Sequence, residues 1–383
     1  LFQRRSKNFQ TMRKENWTYR KVKEVCDKAS SNIVLNKVEN NVGDYALYGA
    51  SGFVKGVDFF HREEPYIGIV KDGSGVGRVD VFPAKSSLVG TMQYILPKKD
   101  CLLKYLCYVL QSLKLADFVT GAAIPHIYFR DYGECVIPVP PLATQSQIVS
   151  ELDLLQSLID KQKAQLKELD NLAQAIFYDM FGDPITNTKG WEKCELNKNV
   201  EEMFLGPFGS SLKVDSYVDK GSSYCMVYEQ KHAIQAKMDF EDTHYINEEK
   251  CNSLKRFTVV GGDFIMSCRG TIGRIFQLPL DAPLGIIHPS LMKIRIKNSY
   301  SPVFFKFLLT KTMEEQVTNG NCVQMAITAK ELGKKHLVLP PLSLQQSFAQ
   351  KVESIERQKE LINQSIREAQ TLFDSRMEYY FGE

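Results

Sequence analysis

Residues 73–78, Gly-Ser-Gly-Val-Gly-Arg, have the glycine density of a loop that cradles a phosphate. A dinucleotide site also needs a helix immediately afterwards, with its N-terminus on the phosphates. Here Arg78-Val-Asp-Val-Phe82 follows, which reads as a strand. The chain has no Gly-x-x-x-x-Gly-Lys-Ser/Thr run of a P-loop ATPase and no Asn-Pro-Pro-Tyr-like run of an amino-methyltransferase. Glu248-Glu249-Lys250, with Asp239 or Asp242 upstream, has the outline of a nuclease motif but reads better as a charged surface helix. The six histidines are scattered, and none pairs at metal-ligand spacing. Nine cysteines include no Cys-x-x-Cys; the nearest pair is Cys101 and Cys107, so they read as reduced thiols packed as small hydrophobes. No catalytic residue, metal or cofactor is therefore expected in this chain.

The elements that would position any site are set by an internal repeat. Val139-Pro140-Pro141-Leu142 recurs as Leu339-Pro340-Pro341-Leu342 at an offset of 200 residues. At the same offset Gln145 matches Gln345, Glu168 matches Glu368, Leu172 matches Leu372 and Phe181-Gly182 matches Phe381-Gly382. Proline ends a strand and suits a first helical turn, where its missing N–H costs nothing. A 4-3 apolar rhythm follows each proline pair. It runs through Ile148, Leu152, Leu155, Ile159, Gln162, Leu166, Leu169, Ala173, Ile176 and Met180 in the first copy. In the second it runs through Phe348, Val352, Ile355, Lys359, Ile362, Ile366, Ala369, Phe373, Arg376 and Tyr380. Such heptads predict two coiled-coil helices of roughly 60 Å, each the simplest partner for the other. A facing sum of 521 in an antiparallel pair would set Gln162 against Lys359 as a register-fixing polar layer, and Ile159 against Ile362.

The segments before the helices correspond more loosely. Trp17–Val22 resembles Trp191–Leu196, and Gly73–Arg78 resembles Gly270–Arg274. An apolar helix at about 102–118 or 302–317 comes next, then a turn at Thr120-Gly121 or Thr318-Asn319-Gly320, then Ile127 or Ile327. Short β-branched or aromatic runs at Tyr66–Val70, Val76–Phe82, Phe264–Ser267 and Leu291–Ile296 predict strands. The fold class is α/β (α+β): two globules, each a small mixed sheet with helices, separated and joined by two long antiparallel helices. The predicted divisions are a basic extension (1–16), a first globule (17–141), a first helix (142–183), a second globule (184–341) and a second helix (342–383). Met12 reads as a natural start, with residues 1–11 either a leader or an addition foreign to the natural chain.

This order resembles the specificity (S) subunits of type I restriction-modification enzymes over residues 12–383. The Pro-Pro-Leu-x-x-Gln-x-x-apolar run, written twice, carries the resemblance; the glycine–arginine turns and tryptophan starts support it. It implies that the globules are target recognition domains, each reading half of a split double-stranded DNA target. It implies that the paired helices are spacers that dock two methyltransferase (M) subunits, to which restriction (R) subunits add. S-adenosylmethionine, ATP and Mg would then belong to those partners, in the cytoplasm of a bacterium or archaeon. The globules differ so much in sequence that an asymmetric target is expected. The recognition subunit of a type IIB-like enzyme shares this layout. Readings from other classes are an enzyme with its own nuclease or methyltransferase activity, and a coiled-coil scaffold unrelated to DNA.

A duplex reader needs Arg or Lys for phosphates, and Arg, Asn, Gln, Ser or Thr for base edges. In the first globule Lys71, Ser74 and Arg78 flank the glycine loop, with Thr91, Gln93, His126 and Arg130 as further candidates. In the second, Arg269, Thr271 and Arg274 sit at the matching loop, and Ser210, Ser211 and Lys213 follow Gly206-Pro207-Phe208-Gly209. Arg256, His288, Ser290, Lys293 and Gln324 complete the set. Net charge is +3, yet both long helical segments are net acidic, which leaves the remainder basic, as suits a polyanion partner. No apolar run reaches the ~18 residues needed to span a bilayer, so no membrane partner is expected.

Overall fold

The computed structural model describes residues 16–121, 125–220, 224–318 and 326–382. Residues 1–15, the Asn319-Gly320 turn and Gln324 lie outside the described residues. The chain divides into two compact units. One runs to Ala164 and resumes at Ile362; the other is Gln165–Leu361. Each unit therefore holds a globule and half of each long helix, and the division falls within the helices rather than at the prolines.

In the first unit, β1 (Thr18–Lys21) pairs antiparallel with β9 (Val136–Val139). Strands β2 (Cys26–Ser30), β8 (Met92–Pro97), β5 (Tyr66–Val70) and β6 (Val79–Phe82) form an antiparallel sheet in that order. A second sheet has the order β4 (Gly52–Val57), β3 (Tyr45–Gly49), β7 (Ser86–Leu88), with β3 and β7 parallel. All five residues of β5 are buried. Ile67 and Ile69 face the core shared with helix α1 (Leu103–Ser112), while Tyr66 and Val70 face the second sheet. A strand covered on both faces reads as an unbroken apolar run, which is why this one is legible in the sequence.

The second unit repeats the plan. Here β10 (Lys193–Glu195) pairs with β19 (His336–Val338). Strands β11 (Val200–Leu205), β18 (Leu291–Ile296), β15 (Phe264–Ser267) and β16 (Ile275–Gln277) match β2, β8, β5 and β6 in order and direction. The other sheet, β13 (Tyr245–Ile246), β12 (Cys225–Tyr228), β17 (Gly285–Ile287) and β14 (Thr258–Val259), keeps one parallel pair, β12 with β17. Phe264 and Met266 face helix α3 (Pro302–Thr318), and Ile265 faces the other sheet. Three expected strands fall at their read positions. The fourth begins at Val79 because a turn occupies the residues up to Arg78. The first apolar helix stops at Ser112 and resumes as a 3-10 turn at Leu115–Phe118, with Lys114 left-handed (φ 46°) between them.

The long helices α2 (Leu142–Phe181) and α4 (Leu342–Phe381) each span 40 residues. Ile148, Leu152, Ile159, Phe348, Val352, Ile355 and Ala369 of the seam are buried. Leu155, Gln162, Leu166, Leu169, Lys359, Ile362 and Ile366 are half-buried. The expected register is corrected. Gln162 Nε2 donates to Ser365 Oγ at 2.6 Å, and Lys359 binds Asp170 at 2.8 Å, so the two do not form a polar layer. A heptad seam looks the same after a slide of one heptad, so the ends select the register. In the first unit Tyr380 donates to Glu151 (2.6 Å), Arg376 pairs with Glu151 (2.8 Å) and Phe381 meets Tyr105 edge-on. In the second, Phe177 and Phe181 pack with Phe304 and Phe348.

Candidate nucleic-acid interface

In the first globule the glycine loop is a tight turn joining β5 to β6. Gly77 N donates to Val70 O (2.8 Å) and Arg78 N to Gly75 O (3.1 Å). Gly77 needs to be glycine: its φ is +89°, and a Cβ there would lie 2.8 Å from Ala116 N. No helix follows the turn, so it is no phosphate cradle of the dinucleotide kind. The segment returning from α1 fastens to the turn. Gly73 N donates to Pro125 O, Ile127 N donates to Lys71 O, and Thr120 and His126 exchange backbone bonds.

This brings five candidates together. Lys71 pairs with Asp72 at 3.3 Å, and Asp72 also binds His126 Nδ1. The His126 ring lies 4.1 Å from that of Tyr128, and the Arg130 guanidinium lies 4.4 Å over Tyr128. Thr91 O accepts from the backbone of Lys71 and Asp72, and Ser74 is exposed at the tip. Arg130 is 76% exposed and so is presented outward, stiffened by the aromatic ring. Arg78 is exposed, but its Nη1 donates to Ala50 O (2.7 Å), tying the turn to the tip of the β3–β4 hairpin. Gln93 is corrected: it is 5% exposed and its amide donates to the buried Tyr132 hydroxyl, so it is part of the core. Sequence reasoning missed Asp72 and Tyr128. Their only signal was position, each beside or between candidates already chosen.

The matching turn of the second globule carries different chemistry. Cys268 O accepts from Ile327 N, as Lys71 O does from Ile127 N. Arg269 bridges Ala326, as Asp72 bridges His126. An acid paired with a histidine in one globule is thus an exposed arginine beside an alanine in the other. Thr271 and Arg274 are exposed on the same turn, and Gln230 Nε2 donates to Arg269 O (2.8 Å). The adjoining turn at His288–Leu291 holds both neighbours: Cys268 N donates to Ser290 O (3.0 Å) and Gly206 N to Leu291 O (2.9 Å). Ser210 and Lys213 are exposed on the loop that follows Gly206, with Ser211 half-buried between them. His288 is bonded to Ser290 Oγ, and burial holds its pKa below the usual imidazole range.

Arg256 and Lys293 lie elsewhere, around Phe204. Arg256 is exposed with its guanidinium 5.3 Å over that ring. Lys293 is corrected: it is 3% exposed, pairs with Glu202 and Asp263, and donates to Thr258 O, so it has an internal role. Glu248–Ser253 is a short surface helix capped by Asn247, and the Asp239 carboxylate accepts from Glu241 N. Burial pushes the Cys101 and Cys107 thiols up to about 12, so they remain protonated at neutral pH. Among the described residues, no three His, Cys, Asp or Glu side chains are grouped to hold a metal ion. No helix among them is long and apolar enough to cross a membrane.

Two like mixed α/β globules, each continuing into a long helix and each bearing basic and hydroxyl side chains on equivalent turns, define a duplicated recognition scaffold. The family model for the type I restriction modification DNA specificity domain matches residues 14–171 and 222–371, and the chain belongs to that family. It is 23% identical over 295 residues to the putative type I restriction enzyme MjaX specificity subunit of Methanocaldococcus jannaschii, covering 73% of this chain and 68% of that one. It is 21% identical over 271 residues to the type I restriction enzyme EcoKI specificity subunit of Escherichia coli K12, covering 67% and 58%. The crystal structure of the S subunit of a type I restriction-modification system from M. genitalium superposes with a TM-score of 0.57 at 15% identity, covering 96% of each chain. At that identity the likeness speaks for the fold.

Proposed function

We propose that this chain is the non-catalytic specificity subunit of a type I restriction-modification complex. Each globule reads one half of a split, asymmetric DNA target through its β5–β6 or β15–β16 turn and the segments fastened to it. The paired helices hold the readers at a fixed separation and dock two methyltransferase subunits, through which restriction subunits attach. S-adenosylmethionine, ATP and Mg act in those partners. The observation that carries this reading is the equivalence of the two turns by backbone bonding combined with their opposed chemistry, Asp72 with His126 against Arg269 with Ala326. Two like modules with unlike contact residues suit two unlike half-sites.

Methylated adenines mapped in host DNA test the whole reading. Exchange of residues 191–330 for those of another such subunit is expected to change one half of the methylated motif and leave the other intact. An unchanged motif would remove the reading function from the globule. A second test is local: Arg269→Ala is expected to weaken binding by about 1–3 kcal/mol when a base edge is read, and only for the cognate second half-site. Uniform weakening across sequences, measured by titration of full-length complex, would make Arg269 a phosphate contact.

A further inference from the structure

Phe208 is 83% exposed, and the fold holds it that way. On one side Gly206 is locked: its N–H bonds Leu291 O, and a Cβ there would lie 2.3 Å from His288 O. Pro207 is buried. On the other side Ser211 N donates to Phe208 O (2.8 Å), and Leu212 is anchored in the core at 5% exposure. A loop fastened at both ends thus presents one large aromatic ring outward. No acidic residue occurs between Glu202 and Asp215, while Ser210, Ser211 and Lys213 follow Phe208 on the same loop. The His288–Leu291 turn that holds Gly206 also holds Cys268 through Ser290 O, so the Phe208 loop and the Arg269–Arg274 turn leave the same end of one sheet.

We propose that Phe208 is a wedge that enters the base stack of duplex DNA at the second half-site, unstacking one step and bending the duplex there. This rests on the DNA-reading function proposed above. Apolar side chains between base steps kink DNA in this way, and the hydroxyl and amine donors that follow Phe208 suit the adjoining phosphates. The ring adds affinity without neutralising a phosphate, so its contribution is independent of salt.

The full chain with its methyltransferase subunits would be titrated against a duplex that the wild-type complex selects from a random pool. 2-Aminopurine would replace each adenine in turn. Wild-type binding is expected to brighten one step of the second half-site. Phe208→Ala is expected to abolish that signal and weaken binding about 10- to 100-fold, with the slope of log K against log salt unchanged. Phe208→Trp is expected to keep both signal and affinity. Lys213→Ala, the control for a phosphate contact, is expected to reduce the salt slope by about 1. Because the side chain is exposed, Phe208→Ala is expected to melt like the wild type. Tight wild-type binding with no brightened step, or full affinity in Phe208→Ala, overturns the wedge alone. No selective binding by the wild-type complex overturns the DNA-reading function and the wedge with it. Loss of methyltransferase co-purification with DNA contacts intact would assign the loop to a protein interface and also overturn the wedge.

Discussion

Asp263→Ala is expected to destabilise the second globule by about 3–5 kcal/mol, the cost of leaving the buried Lys293 and the half-buried Arg295 without their buried counter-charge. Asp263 is 2% exposed. Its carboxylate accepts from Arg295 Nε (2.6 Å), Arg295 Nη2 (2.8 Å) and Val260 N (3.0 Å), and it lies 3.7 Å from the Lys293 ammonium. The Asp263 carboxylate beside it holds the Arg295 guanidinium above its usual pKa, and a hydrogen bond from Lys293 holds Glu202 below the usual carboxylate range. Asp263 precedes β15, Lys293 and Arg295 stand on β18, and Glu202 stands on β11. The network thus ties three adjacent strands of the sheet that carries the candidate reading turn. Without Asp263, the buried Lys293 keeps, among the described residues, only the half-exposed Glu202 as an acidic partner. Chemical denaturation of the full chain should show two transitions, one for each unit, and only that of the second unit should fall. A loss under about 1 kcal/mol would mean that the site relaxes to admit water. Replacing Asp263 with Leu and Lys293 with Met together should recover much of the loss, since an apolar pair leaves no orphaned charge.

Gln145→Leu and Gln345→Leu are each expected to cost about 3 kcal/mol, by stranding wholly or partly buried backbone groups at about 1–3 kcal/mol apiece. Both amides are fully buried. Gln145 Oε1 accepts from Leu102 N (2.8 Å), and its Nε2 donates to Asp100 O and Pro140 O (both 2.9 Å). Gln345 Oε1 accepts from Ser301 N (2.8 Å), and its Nε2 donates to Ser299 O (3.2 Å) and Pro340 O (2.8 Å). Each side chain therefore staples the start of a long helix to the start of the shorter apolar helix of its globule, satisfying groups that a helix end leaves open. Hydrogen exchange is the informative readout. Protection should fall first at residues 99–106 for Gln145→Leu and at 298–305 for Gln345→Leu. Unchanged protection would show that packing alone holds the joint. The substitutions should also loosen the tie between reader and spacer, and so blur the preferred spacing of half-sites in a bound DNA pool.

Much of this was legible in the sequence because the determinants are local. Proline pairs stop β9 and β19 and open the long helices, whatever packs around them. The 4-3 rhythm marked the buried face of α2 and α4, and the unbroken apolar run of Tyr66–Val70 marked a strand covered on both sides. The repeat offset of 200 residues predicted the duplication, since like sequences at like spacing build like topologies. Gln145 and Gln345 stood out as a matched pair, but their staple role needed the carbonyls and N–H groups that the tertiary structure brings to them.

The loop side chains were legible only as types. Arg, Lys, Gln and Ser suit a groove on chemistry alone, and the sequence holds no term for which of them the core consumes. Gln93 lies on β8 facing Tyr132, and Lys293 lies on β18 facing Asp263, so each spends its donors inward. Ser74, Arg269 and Thr271 lie on turns, Arg130 lies on the single helical turn Phe129–Tyr132, and all four stay exposed. The helix register was undetermined for a related reason. A slide of seven residues keeps core positions facing core positions along a heptad seam while changing their partners, and the choice falls to Tyr380 on Glu151 at one end and Phe177 on Phe348 at the other. By itself the sequence determined the repeat, the elements and their apolar faces, because these follow from near-neighbour periodicity. The tertiary structure decided register and polar partners, because those depend on contacts between residues distant in the chain.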